Sequence, residues 1–65
     1  MRVEVIKKVH FRDRAEEMLQ MADSFNIDAS YEITERWFVV KFFYDKINEN
    51  KKWSNLYKAM KKKFA

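Results

Sequence analysis

Residues 29–44 have the sequence ASYEITERWFVVKFFY, and their pattern predicts a β-hairpin. From Ala29 to Thr34 apolar and polar residues alternate, as they do in a strand with one buried face. Trp37–Tyr44 is aromatic and β-branched, a composition that suits a pleated sheet surface. The chain would turn at Glu35 and Arg36, although neither residue favours the positive φ angles of the commonest tight turns.

The parity of the hairpin predicts its register. A loop of two or four residues would place three apolar pairs opposite each other on the core face. These pairs are Ile33 with Phe38, Tyr31 with Val40, and Ala29 with Phe42. An odd register would turn the polar residues of the first strand toward the core, which the burial of one face disfavours.

A helix is the alternative interpretation of this region. Ile33, Trp37, Val40, Tyr44 and Ile47 also recur at helical spacing. We prefer strands because the runs Phe-Val-Val and Phe-Phe-Tyr consist of weak helix formers.

Two elements precede the hairpin. Arg2–Val9 alternates as a strand, and Lys7 interrupts its apolar face, which suits the end of a strand or the edge of a sheet. Residues 12–25 predict a helix, because apolar residues recur on one stripe. Asp13 with Glu16 resembles a capping box, and Asn26 can adopt the left-handed conformation that ends a helix.

A second helix is predicted over Asn48–Phe64, with Asn48 as its N-cap. The element order is then β-α-β-β-α, which predicts a single α+β domain over residues 1–65. Both helices would pack on one face of a three-stranded sheet. Placing the first strand beside the third gives a truncated ferredoxin-like arrangement that lacks the last strand. Pairing of the first strand with the second is the alternative.

The composition argues against catalysis and against covalent or metal staples. The 65 residues include no Cys, no Gly, no Pro and a single histidine, His10. Disulfides, thiolate metal sites, His-pair metal sites and glycine-rich phosphate loops are therefore excluded in their usual forms. We expect no catalytic residues, no cofactor and no metal. His10 is interpreted as a residue of the junction between the first strand and the first helix.

No segment of the sequence resembles a signal peptide or approaches the roughly 20 apolar residues of a membrane span. Together with the absence of cysteine, this leads us to expect a cytoplasmic protein.

The sheet face that the helices leave open is the first candidate interaction surface. The predicted pairing places four large apolar side chains on it: Ile6, Trp37, Val39 and Phe43. A contiguous apolar patch with a charged rim is typical of an interaction site, and a second copy of the chain is the partner we expect. Aromatic residues on an open sheet can also stack on RNA bases. However, the third strand lacks the glycine of that signature, and acidic residues lie nearby.

The second candidate surface is the C-terminal helix. Residues 46–65 contain seven lysines and one acid, whereas residues 1–45 have a net charge of −2. The expected contacts to phosphate or to an acidic protein surface are Lys51, Lys52, Lys58, Lys61, Lys62 and Lys63. Nucleic-acid binding through this helix is thus the alternative function, while a merely solvated helix is the interpretation without function.

Overall fold

The computed structural model describes residues 1–64 and contains the five predicted elements in the predicted order. The strands and helices are β1 (Arg2–Val9), α1 (Arg12–Ser24), β2 (Asp28–Ile33), β3 (Phe38–Asp45) and α2 (Asn50–Lys63). The helical alternative for the hairpin region is therefore wrong. The molecule is a small α+β domain, and its Cα radius of gyration is 11.4 Å.

The three strands form one antiparallel sheet in the order β1-β3-β2. The first strand thus pairs with the third, and its pairing with the second is excluded. The hairpin register is the predicted one: Ile33 lies opposite Phe38, Tyr31 opposite Val40, and Ala29 opposite Phe42. This strand order is that of a ferredoxin-like sheet without its fourth strand. It leaves β1 and β2 as edge strands.

The core lies between one face of the sheet and both helices. Val40 and Phe42 of β3 are fully buried at its centre, as β-branched and aromatic residues of a central strand should be. The buried residues of the helices are Ala15, Met18 and Ala22 of α1 and Leu56 and Met60 of α2. Because these residues form one cluster with β3, both helices cover the same face and leave the other uncovered.

Trp53 is the aromatic anchor of α2 on the sheet. Its indole stacks on Tyr44 with a centroid distance of 5.1 Å and an interplanar angle of 6°. It also meets Phe42 in a tilted arrangement at 5.4 Å. Such aromatic pairs stabilise by about 0.5–1.5 kcal/mol beyond the area they bury. The position of α2 over β3 follows from this cluster.

The predicted end of α1 is confirmed. Asn26 has φ 58°, and the two hydrogen bonds of a Schellman motif close the helix. The Asn26 amide donates to the carbonyl of Asp23 at 3.0 Å, and the Ile27 amide donates to that of Ala22 at 2.9 Å. Ile27 is consequently folded back and buried.

Both predicted N-caps are wrong. The N-cap of α1 is Phe11 and makes no side-chain capping bond, so Asp13 lies inside the first turn rather than before it. The N-cap of α2 is Glu49, and Asn48 lies in the preceding turn. Asp45 orders that turn: its Oδ1 accepts hydrogen bonds from the amides of Ile47 at 2.8 Å and Asn48 at 3.2 Å. An aspartate can bond to amides two and three residues ahead of it, and here it orders the turn before α2 without capping the helix.

Candidate interaction surfaces

The uncovered face of the sheet carries all four apolar residues predicted for it. The register places Val39 opposite Lys8 and Glu32, and Phe43 opposite Glu4 and Asp28. Ile6 lies on β1 opposite Lys41, and Trp37 immediately precedes β3. The apolar side chains therefore share one face, and charged residues from both edge strands stand among them.

At one end of this face, an ion pair covers Phe43. The Arg2 guanidinium lies 5.2 Å from the centre of the Phe43 ring and 3.1 Å from the carboxylate of Asp28. Because Arg2 is on β1 and Asp28 on β2, their contact spans the central strand. An exposed cation–π contact contributes about 0.5–1 kcal/mol, so a partner can displace it at small cost.

At the other end, Lys8 and His10 flank Trp37. The ammonium of Lys8 lies 4.7 Å from the Trp37 ring. His10 meets the indole edge-on with a centroid distance of 6.3 Å. The structure thus places His10 at the junction between β1 and α1, where the sequence indicated it would be, and in contact with the aromatic surface.

The four apolar residues differ in accessibility. Val39 is only 9% exposed. Its cross-strand neighbours are Lys8 and Glu32, and Glu32 forms an ion pair with Lys41 at 3.4 Å on the same face. Trp37 and Phe43 are half-buried. Ile6 is 51% exposed, so it is the residue of this face that a partner would meet first.

The helix α2 presents the basic surface. The six predicted lysines are all exposed. Two of them form weak ion pairs, Lys52 with Glu49 at 3.9 Å and Lys63 with Glu17 at 3.7 Å. Among residues 1–64, the remaining lysines of the set have no carboxylate in ion-pair range, and they leave a concentrated positive charge along the helix.

A cleft of about 140 Å³ lies between β1 and α2, and no pattern in the sequence predicted it directly. Its floor is apolar, with lysines at the rim. The lining residues are Lys7, Met18, Tyr57, Met60, Lys61 and Phe64. The Lys7 ammonium lies 5.7 Å from the centre of the Tyr57 ring, and Tyr57 is 43% exposed. The one related signal in the sequence was Lys7, whose charge on the apolar face of β1 indicated either the end of the strand or an edge.

One carboxylate is electrostatically perturbed. The amides of Ile47 and Asn48 donate to Asp45, and these hydrogen bonds lower the pKa of its side chain below the ordinary value. This perturbation belongs to the turn before α2. Within residues 1–64, no group of three or more His, Asp or Glu residues could hold a metal ion.

In the part of the chain that the structure describes, no helix is long and apolar enough to cross a membrane. Comparison with known proteins gave no match among family models, curated proteins or solved structures.

Proposed function

We propose that this chain is a small non-catalytic binding or accessory protein that acts as a homodimer, assembled through its sheet. The observation that carries the proposal is the one-sided packing of the molecule. Both helices lie on one face, while Ile6, Trp37 and Phe43 remain accessible on the other.

The size of the chain supports self-association. A domain of about 60 residues buries only about 60% of the surface of its unfolded chain, and this chain has no cysteine to staple it. Burial of Ile6 and the two aromatic side chains against a second copy would add apolar burial, which is the main favourable term in association. The mixed charges on the same face suit a copy of the chain better than a polyanion, since Glu4, Asp28 and Glu32 would repel phosphates.

The test is the molar mass in solution, measured by light scattering over a range of concentrations at low and high salt. We expect a dimer that survives high salt, because its contacts are largely apolar. Trp37→Asp and Phe43→Asp should weaken the dimer while circular dichroism retains the helical signal. Asn55→Asp, on the exposed side of α2, is the matched control and should leave the dimer unchanged. An unaltered dimer in both sheet variants would contradict this assembly.

A second candidate function is the binding of nucleic acid through α2. It is favoured by the exposure of Lys58, Lys61 and Lys62, and by Tyr57, whose ring is available for stacking beside them. This binding would use the exposed side of α2, which lies on the opposite side of the sheet from the proposed dimer face, so it would not depend on the dimer.

Replacing Lys61, Lys62 and Lys63 together by Gln tests this second function. The affinity for single-stranded DNA should fall, and the slope of log affinity against log salt should flatten by up to about 2, taking about 0.7 per lost phosphate contact. Arg36→Gln, in the hairpin loop, is the matched control. An affinity and a slope that the triple substitution leaves unchanged would exclude α2 as the binding surface.

A further inference from the structure

The free edge of β1 exposes a full set of backbone hydrogen-bonding groups. The Lys46 amide donates to the Met1 carbonyl at 2.8 Å, which makes that pair a hydrogen-bonded one in the antiparallel ladder. Since such pairs alternate with non-bonded ones, the backbone groups of the odd-numbered residues of β1, from Val3 to Val9, form hydrogen bonds with β3. The backbone groups of Arg2, Glu4, Ile6 and Lys8 therefore point away from the sheet.

The side chains of these same residues lie on the open face, where Ile6 is 51% exposed. On the opposite face, α2 rests on β3 and leaves the cleft beside β1 unfilled. The place where a ferredoxin-like sheet would hold its fourth strand, antiparallel to β1, is thus open on both faces and along its edge.

We infer that β1 pairs antiparallel with β1 of a second copy, with Ile6 opposite Ile6 at the two-fold axis, to give one continuous six-stranded sheet. This inference rests on the proposed self-association and adds a second contact to it: pairing of the β1 edges leaves Trp37 and Phe43 on the open face, so the edge contact and the face contact are tested by separate substitutions. Two-fold pairing joins each residue to the residue of the second copy at the same distance beyond the axis. The register centred on Ile6 therefore sets Glu4 opposite Lys8 twice, once on each side of the axis.

Charge complementarity selects this register from its neighbours. The outward-pointing backbone groups of the two strands must face each other to form hydrogen bonds. One strand can therefore shift against the other only by about two residues at a time, which moves the two-fold axis from one residue to the next. A two-fold axis at Val5 would place Arg2 opposite Lys8, and one at Glu4 would place two glutamates together. An axis at Lys7 would place two lysines together. Like charges directly opposite are destabilising, so Ile6 is the centre that avoids such a pair.

Lys7 is consistent with this arrangement. A charged residue on the core face of an edge strand resists indiscriminate pairing. With Ile6 on the axis, Lys7 lies opposite Val5 of the second copy, and its aliphatic stem can cover that valine while the ammonium stays near Tyr57. The valines of the second copy would extend the apolar floor of the cleft.

Charge reversal at the edge tests the register. Glu4→Lys and Lys8→Glu should each raise the dimer dissociation constant at least about tenfold, since each converts two attractive pairs into two repulsive ones. An equimolar mixture of these two variants should dimerise again, because their charges are complementary, and the double variant Glu4→Lys/Lys8→Glu should also recover. Glu16→Lys, on the exposed side of α1 and away from the sheet edge, is the matched control and should dimerise like the unaltered chain.

Cross-linking supplies an independent readout. In this register the two Ile6 Cα atoms lie about 5.5 Å apart, within the range that a disulfide spans. The chain has no other cysteine, so Ile6→Cys should give a covalent dimer on mild oxidation, whereas Ser30→Cys should not. Dimers that ignore every edge substitution would overturn the β1 pairing and leave self-association through another surface. A chain that is monomeric at all concentrations would overturn both.

Discussion

Asn26 shows how a single residue can end an element in a chain without glycine. Its φ of 58° lies in the left-handed region, which costs most residues with a side chain about 1–2 kcal/mol. Asparagine tolerates this conformation better than other non-glycine residues. The sequence therefore indicated the end of α1 correctly, because few residue types can occupy that position.

Substitution at Asn26 gives a direct prediction. Asn26→Ala should lower the free energy of unfolding by roughly 1 kcal/mol, whereas Asn26→Gly should leave it unchanged or raise it. Urea denaturation followed by circular dichroism measures both, and the midpoint should move without a change in the m-value. Equal midpoints for the two variants would contradict the role of the left-handed conformation.

The start of a helix was less predictable from single residues. Asp13 and Asn48 are both good capping residues, yet neither caps its helix. In α1, the chain leaves β1 so directly that Phe11 already occupies the N-cap. In the second case, Asp45 forms a turn first and shifts the start of α2 to Asn50. Local preference was outweighed in each case by where the preceding strand ends.

At the scale of elements, the connection between β3 and α2 depends on a carboxylate. Asp45 accepts amide bonds from Ile47 and Asn48, and Glu49 in turn accepts a hydrogen bond from the amide of Asp45 at 2.9 Å. The bonds to Asp45 are strongest when its carboxylate is ionised. The connection should therefore loosen in acid.

The pH dependence follows from the lowered pKa of Asp45. A carboxyl group with a lower pKa in the folded state stabilises the fold above its unfolded value, about 4, and loses that contribution as the pH falls through the folded value. Asp45→Asn retains an acceptor oxygen but cannot titrate, so it should flatten part of the stability loss below about pH 4. Unfolding curves at several acidic pH values measure this. If the unaltered chain and Asp45→Asn lose stability with the same pH profile, Asp45 does not contribute to the loss of stability in acid.

At the scale of the whole molecule, the alternation of apolar residues predicted the element order and the hairpin, but it left open whether β1 pairs with β3 or with β2. Parity determined the hairpin register, and the apolar stripes of both helices required one common sheet face. The covering of that sheet's other face was not predictable. It depends on long side chains such as Arg2 and Lys8, which reach across strands to aromatic rings, and on the ion pair between Lys41 and Glu32.

The cleft was beyond sequence reasoning for a related reason. It exists because α2 packs on β3 rather than over β1, a choice made by the stacking of Trp53 on Tyr44. Periodicity shows which face of a helix is buried, but it does not show how far along the sheet the helix lies.

The two tryptophans lie on opposite sides of the sheet: Trp53 of α2 stacks on Tyr44, and Trp37 lies beside Lys8 and His10. The chain therefore contains two indole fluorophores that report on different events. The emission of Trp53 follows the docking of the helix, and that of Trp37 follows whatever occupies the open face. With Trp37 replaced by phenylalanine, the remaining emission would follow the packing of α2. With Trp53 replaced instead, it would follow contact at the open face, so the two variants would separate unfolding from association without an added label.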